Sequence, residues 1–137
     1  MNHNQAEGQR WLAQAQHDLR AADLIRREGF PEIACFLAHQ SAEKALKAFL
    51  YTQGERYVVG HATHRLVQDC AGYEALFVDL LDGCRRLDQY YIPTRYPNGL
   101  PAGIPHDVYT PDQAAEAIEL ARAIIQFVAE RLAAICP

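Results

Sequence analysis

Apolar residues recur every three or four positions along most of this chain, and this spacing constrains the fold more than any other feature of the sequence. Near the carboxyl end, one helical face carries the apolar residues Ala114, Ile118, Ala121, Ile125, Val128 and Leu132. No β-branched segment alternates with polar residues between hairpin turns. The pattern therefore predicts an all-α protein.

The breaks in this pattern predict an up-down helical bundle of about five helices, four long and one short. The expected helices cover about residues 5–28, 31–52, 63–71, 74–91 and 110 onward. Thr110, Pro111 and Gln113 give the clearest start signal, with an N-cap residue, a proline at the first helical position and a capping-box partner. Before this helix, residues 92–109 hold four prolines and two glycines, which predicts a long irregular loop.

Composition narrows the class of protein. The 137 residues suit a single domain, residues 1–137, and half of them are hydrophobic, which argues against disorder. The formal net charge of −4 lacks the basic excess of a dedicated duplex-binding protein. A small local basic patch remains compatible with this charge.

The cysteines and the amino-terminal residues predict a cytoplasmic protein. Four widely spaced cysteines form no Cys-x-x-Cys pair, which is typical of core thiols in a reducing compartment: Cys35, Cys70, Cys84 and Cys136. Residues 1–10 are polar, and no apolar run approaches the roughly 18 residues that would span a bilayer. We expect no membrane partner.

The segment 87–98 contains the most informative candidate for binding chemistry. Arg95 stands between aromatic residues and prolines, which stiffen the chain and can orient its planar fork of donors toward a carboxylate or phosphate. In the alternative interpretation, Arg95 pairs with Asp88 or a loop carbonyl. The tyrosines then only pack the loop against the bundle: Tyr90, Tyr91 and Tyr96.

Several motifs together resemble one family. Residues 40–48 (Gln-Ser-Ala-Glu-Lys-Ala-Leu-Lys-Ala) are followed by Gly60-His61, by residues 87–97 (Leu-Asp-Gln-Tyr-Tyr-Ile-Pro-Thr-Arg-Tyr-Pro) and by Tyr109-Thr110. In order and spacing this set resembles the prokaryotic HEPN family (higher eukaryotes and prokaryotes nucleotide-binding). The resemblance implies a bundle of about five helices that dimerises and is often encoded beside a minimal nucleotidyltransferase. Members of the family are regarded as nucleotide-binding modules or as ribonuclease toxins.

The resemblance implies, as a first hypothesis, a nucleotide- or RNA-binding module that works with a minimal nucleotidyltransferase in a toxin–antitoxin-like system. The expected partners are a second copy of the chain, the nucleotidyltransferase, and a nucleotide or RNA. The expected ligand-binding residues are Arg95, Tyr96, Tyr91, Lys44 and Lys47. No cofactor is expected.

A metal-independent ribonuclease is the alternative, with His106 or His61 as general acid or base and Arg95 stabilising the charged phosphorane. The ribonuclease branch of the family carries Arg, four to six residues and then His near the start of its last long helix. Here ten residues separate Arg95 from His106. The pairs Arg56 with His61 and Arg10 with His17 have the spacing but lie elsewhere in the chain. The sequence therefore favours binding over catalysis.

Two further hypotheses complete the set. His61 and His64 form a His-x-x-His pair that lacks a third local ligand, so no metal site is expected. An interaction module without a small ligand, whose tyrosine-rich loop forms a subunit contact, is the third functional alternative.

Overall fold

The computed structural model describes residues 1–136 as an all-α bundle, which confirms the predicted fold class. Six α-helices and no strand occur in these residues. Two short 3-10 turns cover Ala75–Leu80 and Pro97–Gly99. The helices are α1 (His3–Arg27), α2 (Pro31–Thr52), α3 (Thr63–Ala71), α4 (Leu81–Asp88), α5 (Pro105–Val108) and α6 (Pro111–Ile135).

Local capping determines where α1 and α6 begin. The Thr110 hydroxyl accepts from the Gln113 backbone N–H at 3.1 Å, and the Gln113 side chain accepts from the Thr110 N–H at 2.9 Å, as the sequence predicts. Asn2 and Gln5 form the same reciprocal pair at the start of α1. This second capping box starts α1 at His3, two residues before the start that the apolar periodicity predicts.

Helix α2 lies at the centre of the bundle, packed against both α1 and α6, which also contact each other. Its alanines are fully buried and allow neighbouring helices to approach closely: Ala34, Ala38, Ala42, Ala45 and Ala48. Gly8 of α1 lies directly against α2 at Ala48 and Thr52. Helices α3 and α4 pack together beside α2.

The fourth segment differs from the long helix predicted over residues 74–91. A 3-10 turn occupies its first part and buries Phe77 alone, with ring centroids 4.5 Å from Phe49 and 4.8 Å from Phe127. Leu76 and Val78 are about half exposed, so this part has no continuous buried stripe to hold an α-helix. Helix α4 is therefore eight residues long and ends before Tyr91.

The proline-rich segment before α6 is largely irregular, as predicted, and it packs back onto the bundle. Its regular parts are the 3-10 turn and the single turn of α5, which contacts α2. Thr94 is buried, and its hydroxyl donates to the Tyr90 carbonyl oxygen at 2.6 Å. This packing brings the residues around Arg95 against the amino-terminal half of α2.

All four cysteines are free thiols. Cys35, Cys70 and Cys84 are buried in the core, and Cys136 is partly exposed. Burial raises the pKa of Cys35 and of Cys84 to about 12. Across residues 1–136, no helix combines the length and the apolar character needed to cross a membrane.

Candidate anion-binding site

Arg95 lies in the loop after α4, where one carbonyl and three aromatic rings hold its guanidinium. Its Nε donates to the Tyr91 carbonyl oxygen at 2.7 Å. Its Cζ atom lies 4.5 Å, 4.6 Å and 5.3 Å from the ring centroids of Phe36, Tyr91 and Tyr96. The ion pairs formed among residues 1–136 do not include Arg95. The terminal nitrogens are thus free to donate two parallel hydrogen bonds to an anion.

Arg95 and His106 line the same groove, although ten residues separate them in the sequence. The groove runs between α2 and the proline-rich loop and has a volume of about 390 Å³. Its walls are mainly apolar and include Ile33, Phe36 and Ile104. A ligand there would combine apolar contact with a charged end at Arg95.

Glu32 orients His106 within this groove. Glu32 is buried in α2, and its Oε1 lies 2.9 Å from His106 Nδ1. This hydrogen bond and the adjacent negative charge raise the pKa of His106 above its ordinary value of 6.5. At neutral pH, His106 therefore carries more positive charge than a free histidine, and Glu32 offsets part of it.

His61 contacts Tyr91, one of the aromatic residues that hold Arg95. The two rings stack with centroids 4.9 Å apart and planes inclined by 19°. His61 Nδ1 lies 3.1 Å from Glu43 Oε1, which holds the ring in place. His61 and Arg95 thus both rest on the ring of Tyr91.

The structure separates the two candidate lysines from this groove. Lys47 is nearly buried, donates to Glu43 Oε2 at 3.1 Å and lies over the ring of Trp11. Lys44 pairs with Asp18 and lines a different groove along α1. Of the five expected ligand-binding residues, the structure brings together Arg95, Tyr96 and Tyr91.

Asp88 accepts hydrogen bonds from two other helices, a role that the sequence does not predict. Its Oδ1 accepts from the Thr63 N–H at 2.8 Å and lies 3.0 Å from Nε2 of the fully buried His39. Its Oδ2 accepts from the His64 N–H at 3.0 Å and lies 2.6 Å from His64 Nδ1. Ala62 is the N-cap residue of α3, and its side chain cannot accept a hydrogen bond from that helix. This is the one sequence signal that a side chain from another element caps α3.

Hydrogen bonding also determines the ionisation of Asp88. Burial alone would raise the pKa of its carboxyl group. The hydrogen bonds from His39, from the His64 backbone and from Thr63 outweigh burial and hold that pKa well below its usual range. Asp88 is therefore a carboxylate at every pH at which the protein would ordinarily be studied.

The sequence profile of the HEPN domain family matches residues 9–132. The chain belongs to the HEPN domain family. This membership confirms the resemblance that the motifs at residues 40–48 and 87–97 indicate. Comparison with curated proteins found no similar one.

Three crystal structures resemble this HEPN domain over nearly its whole length. TT1696 from Thermus thermophilus shares 40% sequence identity at a TM-score of 0.86, over 90% of this chain and 97% of that one. ST0689, an archaeal HEPN homologue, shares 34% at a TM-score of 0.77, over 92% and 98%. A HEPN domain protein from Thermotoga maritima shares 27% at a TM-score of 0.72, over 90% and 98%.

The two histidines of the His-x-x-His pair in this HEPN domain contact different carboxylates. His61 faces Glu43, and His64 faces Asp88. Within residues 1–136, no three side chains of histidine, cysteine, aspartate or glutamate converge as a metal site. His106 lies on α5, ahead of the last helix of the HEPN domain.

Proposed function

We propose that this HEPN domain binds a phosphate group of a nucleotide or RNA in the Arg95 groove and works with a minimal nucleotidyltransferase in a toxin–antitoxin-like system. The observation that carries the proposal is the guanidinium of Arg95, which is exposed, held in a fixed position and unpaired among residues 1–136. A cation whose geometry is set before binding loses little conformational entropy when it takes an anion.

The surroundings of Arg95 suit a nucleotide better than a bare anion. Tyr96 is about half exposed, and its ring offers a face on which a base can stack. His106 lines the same groove, and its hydrogen bond with Glu32 raises its pKa above the ordinary value, which favours its positively charged form. Ile33 and Ile104 provide apolar contact beside the charged groups.

We also propose that the protein forms a two-fold symmetric homodimer. Its support is the exposure of several large apolar side chains, which a second copy would cover: Tyr57, Val59, Leu76 and Val78. Light scattering at micromolar concentration tests this proposal directly. A monomer across that range would exclude the dimer.

A ribonuclease is the second candidate, and the shared groove of Arg95 and His106 is the observation that favours it. His106 would transfer a proton at the 2′-hydroxyl or the leaving oxygen, while Arg95 would stabilise the charge that develops on the phosphorane. A single-turnover assay with EDTA distinguishes the candidates. If the wild-type protein cleaves RNA rapidly and either Arg95→Ala or His106→Ala abolishes the cleavage, the protein is a ribonuclease and the binding-module proposal is wrong.

The binding proposal is tested by comparing Arg95→Ala, Arg95→Lys and the control Arg20→Ala. Arg20 is exposed on α1, so its loss changes the net charge equally but leaves the groove intact. Titration calorimetry with adenosine monophosphate and a short single-stranded RNA measures affinity, and thermal unfolding measures stability. Charged hydrogen bonds contribute about 1.5–3 kcal/mol, so Arg95→Ala should weaken binding by roughly tenfold or more.

The other variants define the outcome. Arg95→Lys keeps the charge but loses the planar fork, so its affinity should lie between those of wild type and Arg95→Ala. Arg20→Ala should bind as wild type does. Equal binding by Arg95→Ala together with much earlier melting would assign Arg95 a structural role and contradict the proposal.

A further inference from the structure

We infer that Asp88 is the positioning residue of the Arg95 site, because it fixes the ring and the backbone of Tyr91 on which the guanidinium rests. The inference rests on the proposed function insofar as the site is the Arg95 groove. The carboxylate itself contacts neither Arg95 nor the groove, so its effect must pass through other residues.

The first step is the attachment of Asp88 to two neighbouring helices. Its two oxygens take five hydrogen bonds, from the His39 ring in α2 and from the backbone and side chains of Thr63 and His64 in α3. This network fixes the end of α4 relative to both helices. This position requires a carboxylate rather than an amide, since the network presents hydrogen donors to both oxygens.

In the second step, one backbone hydrogen bond and two histidine rings fix the position of Tyr91. The Tyr91 N–H donates to the Asp88 carbonyl oxygen at 3.4 Å. The ring of His39, bound to Asp88, lies 5.2 Å from the Tyr91 ring. The ring of His61, two residues before Thr63, stacks on Tyr91 at 4.9 Å.

The third step links Tyr91 to the guanidinium. Arg95 Nε donates to the Tyr91 carbonyl oxygen at 2.7 Å, and its Cζ lies 4.6 Å from the ring centroid. A shift of Tyr91 therefore moves both the hydrogen-bond acceptor and the aromatic surface of Arg95. The order of effects is Asp88, then His39 and the start of α3, then Tyr91 and finally Arg95.

Asp88→Asn tests this order because it keeps the size of the side chain. Its amide nitrogen must face the donors of Thr63 or of His64 and would meet a hydrogen instead of giving it an acceptor. Val67→Ala is the control, since Val67 is buried in α3 and belongs to the core, so truncation lowers stability without touching the network. Both proteins are compared with wild type below their melting temperatures.

Two readouts are measured. The first is solvent exchange of the Arg95 Nε hydrogen, followed by nuclear magnetic resonance without any ligand. The second is the affinity for adenosine monophosphate. We expect Asp88→Asn to exchange about tenfold faster and to bind about tenfold more weakly, equivalent to one lost hydrogen bond, whereas Val67→Ala retains both properties.

The outcomes separate the two proposals. Slow exchange in wild type and fast exchange in Asp88→Asn, with no nucleotide binding by either protein, would refute the proposed function and support the positioning role. Identical exchange in Asp88→Asn and Val67→Ala would overturn the positioning role. If Asp88→Asn does not fold, His39→Gln removes the ring beside Tyr91 but keeps a donor for Asp88, and it should also speed exchange at Arg95; wild-type exchange in that variant would overturn the inference.

Discussion

Replacing Gly8 by alanine would test the close contact between α1 and α2. A Cβ atom at this position would lie 2.2 Å from Thr52 Cγ2 and 2.8 Å from the Ala48 carbonyl oxygen. Atoms cannot pack at these distances, and the second contact involves backbone that a rotamer change cannot move. The Thr52 hydroxyl donates to the Phe49 carbonyl oxygen, which opposes rotation of the clashing methyl group. Helix α1 must therefore move away from α2.

Two opposing effects determine the magnitude. Overpacking a well-packed core costs about 1–3 kcal/mol in free energy of unfolding. Alanine stabilises a helix interior by about 0.5–1 kcal/mol relative to glycine. The difference between these two effects is a loss of about 0–2.5 kcal/mol. The two very short contacts place Gly8→Ala in the upper half of this range, at about 1–2 kcal/mol, or roughly 3–8 °C in melting temperature for a domain of this size.

Urea denaturation followed by circular dichroism measures this loss, with Gly83→Ala as the control. A Cβ at Gly83 in α4 would contact only the Leu120 side chain, 3.3 Å from its flexible end and 4.0 Å from its Cβ, so that variant should be neutral or more stable. Gly8→Ala combined with Thr52→Ser should recover part of the loss, because serine lacks the clashing methyl group. If Gly8→Ala proved as stable as wild type, the close packing of α1 on α2 would be wrong.

Two further predictions concern charge and burial. Affinity for a short RNA, whose phosphodiesters do not titrate near neutrality, should fall as the pH rises through the pKa of His106, since deprotonation removes a positive charge from the groove. Glu32→Gln removes the group that raises this pKa and should move the fall to lower pH; calorimetry at several pH values checks it, and an unshifted profile would contradict it. Ellman's reagent should modify Cys136 alone in the folded protein and all four thiols after unfolding, because the other three are buried. Absorbance counts the modified thiols, and a second thiol reacting in the folded state would contradict this burial.

The parts of the fold that depend on local sequence could be predicted. The capping box at Thr110 and the apolar spacing after it place α6 correctly. The proline-rich loop follows from residues 92–109 themselves. The extent of the fourth helix could not be predicted, because burial of Phe77 between Phe49 and Phe127 favours a 3-10 turn over the first part of the expected helix.

The site could be predicted only as far as neighbours in sequence determine it. Arg95 and Tyr91, whose carbonyl oxygen it contacts, are four residues apart, and the sequence names a loop carbonyl among the possible partners of Arg95. The pairing of His39 with Asp88 spans 49 residues, and that of Glu32 with His106 spans 74. No periodicity indicates such partners, because packing of helices and loop brings them together.

Asp88 of α4 supplies the N-terminal cap of α3, and this affects how the chain folds. A helix of nine residues without its own N-cap is unstable in isolation, and the carboxylate that caps it stands 25 residues after Thr63. During synthesis, α3 therefore becomes stable only after the end of α4 has left the ribosome and packed against α3. The two helices then gain structure in one cooperative step, and local opening of either one releases the other.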